Sequence, residues 1–303
     1  MNQSMDTLTL FSPSGVLLKP ATLRLAQQRL QALGFDAQID EAAFARHQRF
    51  AGDDETRLAA LHRVAHAAPS IVMASQGGYG LTRLLGRIDW ALLRRSVEQG
   101  TRWVGHSDMT ALQLGLLAHQ LGSVTWAGPL AFDFGRSEAS GGVDEVTRDC
   151  FVEAMDGRLE AVGFRTEAGF DGLELKGTLW GGNLTMLMSL LGTPYWPRIK
   201  GGVLFIEDVN EHPYRVERTL LQLHQAGVLA AQKAIVLGAV SAWNPAPHDR
   251  GYSLKTMVAR LRQVCTTPII TGLPFGHVNP KVTLPVGAKV QLVVDGRNVL
   301  IGW

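Results

Sequence analysis

Cysteine is nearly absent. Cys150 and Cys265 are the two in 303 residues, they stand far apart, and neither belongs to a CxxC or Cys/His pattern. A disulfide scaffold and a structural zinc site are therefore poorly supported. Charge is sparse and balanced: 29 Lys and Arg face 27 Asp and Glu, 18% of the chain is charged, and no Lys/Arg-rich run occurs. That balance argues against nucleic acid as a partner and against electrostatic attachment to a membrane. No apolar run approaches the ~18 to 20 residues needed to span a bilayer. Met1–Leu10 lacks a basic segment followed by an apolar one. The cytoplasm is the expected compartment. No internal repeat or low-complexity segment breaks the chain.

What is present is apolar material: 46% of the residues, enough to bury one large α/β domain or two ordinary ones. Thr7–Phe11 reads as a strand ended by the turn residues Ser12-Pro13-Ser14-Gly15, and Pro20 to Leu33 as a helix with Pro in its first turn. A helix over Asp54–Ala67, the buried-type strand Ile71–Ala74, a helix capped by Asp89 and the strand Arg102–Gly105 follow. An apolar helix, Met109 to Leu121, comes next. This alternation predicts a mainly parallel sheet covered on both faces, with ligands beyond the carboxyl ends of its strands. Phe134 to Lys176, richer in Gly, Ser, Asp and Glu, reads as the crossing to a second unit. That unit resumes at Gly177–Asn183, with strands over Gly202–Ile206, Ala234–Leu237 and Pro268–Thr271, and a final β pair around Asp295-Gly296.

Four segments could carry chemistry. In Gly105-His106-Ser107-Asp108, a serine between strand and helix can expose its hydroxyl while the next amide supplies half an oxyanion hole; equally, Ser107 or Asp108 can simply cap the helix. Gln76-Gly77-Gly78-Tyr79-Gly80 lets the backbone approach a ligand, or is only a tight turn. It fits neither nucleotide-binding glycine spacing. Glu207-Asp208-Val209-Asn210-Glu211-His212 offers an orienting carboxylate, a metal site or a solvated loop; no second histidine lies nearby at ligand spacing, which weighs against metal. His277 lies in a Gly/Pro loop, Leu273 to Pro280, after another apolar strand. Serine, carboxylate and histidine all follow strands, so all three can converge at one edge. Together they supply a nucleophile, a base and a group fixing the base's tautomer, without metal or organic cofactor.

Taken in order, six segments resemble the LD-carboxypeptidase (muramoyltetrapeptide carboxypeptidase) family nearly end to end. They are Ser12-Pro13-Ser14-Gly15, Gly77-Gly78-Tyr79-Gly80, Gly105-His106-Ser107-Asp108, Gly177 through Asn183, Glu207 through Arg218, and Phe275-Gly276-His277. The resemblance implies a catalytic triad of Ser107, His277 and Glu207, the carboxylate being the first acid after the strand rather than Glu211. It implies an N-terminal α/β domain (residues 1–150) with flavodoxin-like, doubly wound topology, carrying the nucleophile. A smaller β-rich C-terminal domain (residues 151–303) would carry Glu207 and His277, with the site in the cleft between. The amides of Gly78 and Asp108 are expected to form the oxyanion hole, and Tyr79, Asn183 and Arg215 to touch substrate.

The implied reaction releases D-alanine from murein tetrapeptides by hydrolysing its bond to a diamino acid, in cytoplasmic peptidoglycan recycling, by a cofactor-free homodimer. One residue departs from the family pattern: Gln76 stands where arginine is usual. Two other readings remain. One is hydrolysis of an acyl- or peptidyl-nucleotide within the same family, conferring antibiotic immunity; the other is a non-catalytic small-molecule binding module.

Overall fold

The structure, a computed structural model, describes residues 5–303. The reading of Met1–Leu10 falls in part on residues 1–4, outside those described. The first half contains β1 (Thr7–Phe11), α1 (Pro20–Ala32), β2 (Asp36–Ile39), α2 (Asp54–Ala67), β3 (Ile71–Ala74), α3 (Trp90–Glu98), β4 (Arg102–Gly105), α4 (Met109–His119), β5 (Thr125–Ala127), α5 (Ala131–Phe134) and α6 (Glu145–Met155). The second contains β6 (Ala161–Arg165), β7 (Glu174–Asn183), α7 (Leu184–Leu190), β8 (Val203–Val209), α8 (Pro213–Gln225), β9 (Ala234–Ser241), α9 (Leu254–Val264), β10 (Ile269–Thr271), β11 (Leu284–Val286), β12 (Lys289–Asp295) and β13 (Asn298–Gly302).

The first sheet runs β11-β5-β4-β3-β1-β2, with β1 to β5 parallel and β11 antiparallel at one edge. The parallel strands thus follow the 2-1-3-4-5 doubly wound order, whose switch point lies between β1 and β3. The second sheet runs β10-β9-β8-β7-β12-β13-β6, half parallel and half antiparallel. β3 is buried on both faces, as Ile-Val-Met-Ala demands. α1 buries Leu23, Ala26 and Leu30, a stripe at helical spacing opened by Pro20. Asp53 and Asp89 cap α2 and α3 by accepting from the amides of Thr56 and Leu92.

α4 differs from the others. Every residue from Met109 to Leu117 is buried, because this helix is apolar all round and lies between the two halves, against α7 and β7. One apolar cluster consequently runs from Phe11, Trp103 and Met109 through Trp180 and Leu204 to Phe275. The first turn of α4 is therefore held by both halves.

The structure refines the expected crossing over Phe134–Lys176. α6 still belongs to the first half, where Phe151 packs on Phe134 and Phe35 with ring centroids 5.3 and 5.6 Å apart. β6 is already the edge of the second sheet. The chain crosses between Met155 and Ala161, and β11 later returns to the first sheet.

Candidate active site

Ser107 follows β4 with φ +61°, in the left-handed region that costs a non-glycine residue about 1–3 kcal/mol. Such a turn lifts the hydroxyl above the strand end; Ser107 is buried, and among the described residues Oγ has no hydrogen-bond partner. Asp108 does not cap α4 either. Its carboxylate accepts from Ser14 Oγ at 2.5 Å and from the Leu81 amide at 2.9 Å, tying the loops after β1 and β3 to the serine turn. Burial pushes the Asp108 carboxyl up, against those two bonds and the charge of Arg57. The capping alternative for this motif is therefore not what the side chains do.

Gly77 explains why the β3 loop is glycine-rich. A Cβ there would lie 2.5 Å from Ser107 Oγ, so only glycine lets this backbone close over the hydroxyl. Among the described residues, neither the Gly78 nor the Asp108 amide has an acceptor.

The carboxylate comes from the second sheet. Glu207 lies within β8 rather than after it, at an irregularity where the β8–β9 register shifts between Ile206 and Asp208. Irregularities of this kind re-aim side chains. Glu207 is wholly buried; Oε2 accepts from His277 Nδ1 at 2.8 Å and Oε1 from Asn183 Nδ2 at 3.1 Å. An acceptor-only carboxylate at Nδ1 fixes the proton there and leaves the His277 Nε2 lone pair free. Asp208, next in the chain, is held by Asn183 Nδ2 and by the Thr185 amide and hydroxyl. Burial raises its pKa, and the neighbouring Glu207 adds to the rise.

The expected hydrogen bond between Ser107 and His277 is not made in this structure. The two residues come from different sheets, and among the described residues neither Oγ nor Nε2 has a partner. His106, one residue before the serine, nevertheless stacks edge-on against His277 with centroids 4.9 Å apart. The two imidazoles border a cavity of about 710 Å³ lined also by Lys19, Asp133, Arg136 and Lys281.

His106 was passed over in the sequence because one histidine beside a serine carries no pattern. It is buried, and its Nδ1 meets the Gly128 carbonyl at 2.8 Å. Burial holds this imidazole well below its usual range, with Lys281 and His277 adding to the depression. The ring is thus neutral, protonated on Nδ1, with Nε2 available as an acceptor.

The three expected substrate contacts fare differently. Asn183 is buried and spends both amide protons on Glu207 and Asp208, while its oxygen caps α7 at the Met186 amide. It supports the carboxylate from behind, a consequence of the register that pairs Asn183 with Glu207 across β7 and β8. Tyr79 is 41% exposed and packs its ring on Phe50. Arg215 is exposed on α8, next to Tyr214. None of the three lines the cavity beside His277. Gln76 braces the loop after β1 through Val16 O at 2.7 Å. His212 pairs with Asp249 at 3.0 Å, away from Glu207. Among the described residues no three His, Cys, Asp or Glu side chains stand close enough to hold a metal ion.

Comparison with known proteins adds four findings. Residues 8–128 match the model of the LD-carboxypeptidase N-terminal domain and residues 176–292 that of its C-terminal domain. A probable murein peptide carboxypeptidase of Bacillus subtilis (strain 168) is 31% identical over 98% of this chain and 91% of its own. The murein tetrapeptide carboxypeptidase of Pseudomonas aeruginosa is 30% identical over 92% and 89%. Among solved structures, the muramoyltetrapeptide carboxypeptidase of Oxalobacter formigenes superposes with a TM-score of 0.88. It is 39% identical, with 98% of this chain and 99% of that one covered.

Proposed function

The chain belongs to the LD-carboxypeptidase family, and from that premise we propose that it is a serine carboxypeptidase releasing D-alanine from murein tetrapeptides. The observation that carries the proposal is the hydrogen bond between His277 and the buried Glu207. The His277 ring touches His106, next to a strained serine, and among the described residues neither its Nε2 nor the serine hydroxyl has a partner.

In the proposed mechanism His277 Nε2 takes the Ser107 proton as Oγ attacks the scissile carbonyl. Glu207 holds the ring and stabilises the imidazolium. The Gly78 and Asp108 amides receive the developing oxyanion, aided by the positive end of α4. His277 then protonates the leaving nitrogen, and water attacks the acyl-enzyme by the reverse sequence. The Ser107–His277 bond is one that forms with substrate in place, since catalytic hydrogen bonds are often long or absent in empty enzymes. On this reading the site lies in the cleft between the first sheet with its helices and the second. A cytoplasmic homodimer acting in peptidoglycan recycling completes the proposal, on the strength of the family resemblance. Sedimentation of the purified chain and fractionation of cells producing it test those two points.

The decisive experiment is product analysis. Wild-type protein incubated with a carrier-free tetrapeptide should release D-alanine, and a peptidyl adenylate run alongside should be turned over far more slowly. Ser107→Ala should lower kcat by roughly 10⁴- to 10⁶-fold with the fold intact. More than about a tenth of the activity remaining would remove Ser107 from the mechanism.

A further inference from the structure

The cavity beside His277 has a charge imbalance that the triad does not explain. Three cations, Lys19, Arg136 and Lys281, line it against one carboxylate, Asp133. Lys281 and Asp133 neutralise each other, Nζ to Oδ1 at 2.8 Å. Among the described residues neither Lys19 nor Arg136 has an acidic partner; Arg136 Nη2 donates only to the Ser140 carbonyl, at 3.0 Å, and Nη1 faces the Asn279 amide. The first turn of α1, which includes Thr22 of the cavity wall, contains no acidic residue. The cavity is thus built to attract an anion.

Its position says which anion. A histidine that returns its proton to the leaving nitrogen must have the departing residue lying against it. The cavity touches His277 and His106 but neither Ser107 nor the Gly77-Gly78 backbone, so it lies on the leaving-group side of the proposed attack. In a terminal D-alanine the carboxylate sits two bonds from that nitrogen. The loop containing Gln76 supplies no cation there, since that amide is neutral and bonded to Val16 O.

We propose that this cavity is the subsite for the substrate's terminal carboxylate and that Arg136 is its ligand, with Lys19 adding positive potential. The inference rests on the carboxypeptidase function proposed above. A guanidinium matches a carboxylate bidentately, which fixes the departing residue as well as attracting it. The carboxylate on the side chain of a meso-diaminopimelate residue is the other anion the same cavity could take.

Three peptides separate the cases: the tetrapeptide with meso-diaminopimelate and terminal D-alanine, the same peptide with its terminal carboxyl amidated, and a version with lysine replacing diaminopimelate. Arg136→Met should lower kcat/KM roughly 10- to 100-fold on the first and third. On the carboxamide it should change kcat/KM by no more than about threefold. Arg136→Lys, which keeps the charge but not the fork, should recover part of the loss. Losses on the carboxamide but not on the lysine peptide would assign Arg136 to the side-chain carboxylate and overturn the proposal. Equal losses on all three, or none, would overturn it as well. Wild-type protein inactive on all three would instead refute the carboxypeptidase function. The subsite would then be decided by calorimetry with N-acetyl-D-alanine, whose binding Arg136→Met weakens at least about tenfold if the subsite is correct and leaves unchanged if it is not.

Discussion

Gly77→Ala tests the proposed nucleophile without touching it. The new Cβ would stand 2.5 Å from Ser107 Oγ and 2.7 Å from Ser107 Cβ, with the Asp108 amide nitrogen next nearest at 3.8 Å. Ordinary contact begins at 3.4 Å, so the shortfall is about 0.9 Å and falls almost entirely on the serine side chain. Turning the hydroxyl to another rotamer relieves the first overlap but not the second, which involves Cβ. Either Ser107 moves, or the Gly77-Gly78 backbone retreats and takes the Gly78 amide with it. Both displace a reacting group by a distance near 1 Å, and a misplacement of that size costs about 10²-fold in rate.

Gly77 does not have a left-handed φ, so alanine adds no backbone strain, and the stability cost is confined to overpacking, about 1–3 kcal/mol. The assay is the kinetics of D-alanine release with thermal unfolding measured on the same samples. Gly86→Ala is the matched control: its Cβ meets only Tyr195 Oη, at 3.6 Å, and activity should stay within about twofold. A folded Gly77→Ala protein keeping more than about a third of wild-type kcat/KM would refute the claim that the reacting hydroxyl lies under this loop.

Two further perturbations read the support behind the site. Asn183→Ala removes donors from Glu207 and Asp208 and the cap of α7, and should cost about 2–4 kcal/mol by urea unfolding, with kcat falling and KM nearly unchanged. Asn183→Asp keeps the cap but sets a third carboxylate against Glu207 and Asp208, so it should be no more stable than Asn183→Ala and should not recover kcat. His106 gives a pH signature. Its folded pKa is depressed, so the unfolded chain binds the extra proton first, and stability is fully present above the ordinary histidine value near 6.5 and lost as pH falls below it. Wild type should therefore lose up to about 1.4 kcal/mol per pH unit on acidification below that point relative to His106→Asn. Parallel stability curves for the two proteins would contradict the buried neutral ring.

Much of this arrangement is legible in the sequence. β1, β3 and β4 have the expected bounds because short apolar runs stopped by Gly and Ser leave little choice of where the strands end. Four strands were not singled out, β2, β5, β6 and β11, all three to five residues long. In β2 only Ala37 is buried, and segments this brief owe their strand state to pairing with neighbours distant in the chain. At the site, the glycines around Ser107 are legible in the sequence, whereas Glu207, expected directly after its strand, lies within β8. The structure sets the Asn183 side chain against Glu207 and Asp208, which the sequence does not show for a physical reason. Whether a polar residue at a strand end faces a ligand or a neighbouring carboxylate depends on register, and register is a property of the pair, here β7 with β8. His106 was invisible for the same kind of reason: what distinguishes it is burial beside Lys281 and His277, neither near it in sequence.

The two halves of the proposed triad are joined by a short path of hydrogen bonds. Thr110, one helical turn after Ser107, accepts through Oγ1 from the Asn183 amide at 3.0 Å. Gly182 makes that approach possible, since a Cβ at its φ of +131° would lie 2.5 Å from the same oxygen. Asn183 holds Glu207, and Glu207 holds His277. From serine to histidine the chain of contacts is closed except at the pair of atoms that would exchange the proton. Each link up to Glu207 is buried, and the opening that remains lies between Oγ and Nε2. On the proposed mechanism that opening closes into the serine–histidine hydrogen bond when substrate arrives, with the scissile carbonyl meeting Oγ from the side of the Gly78 and Asp108 amides.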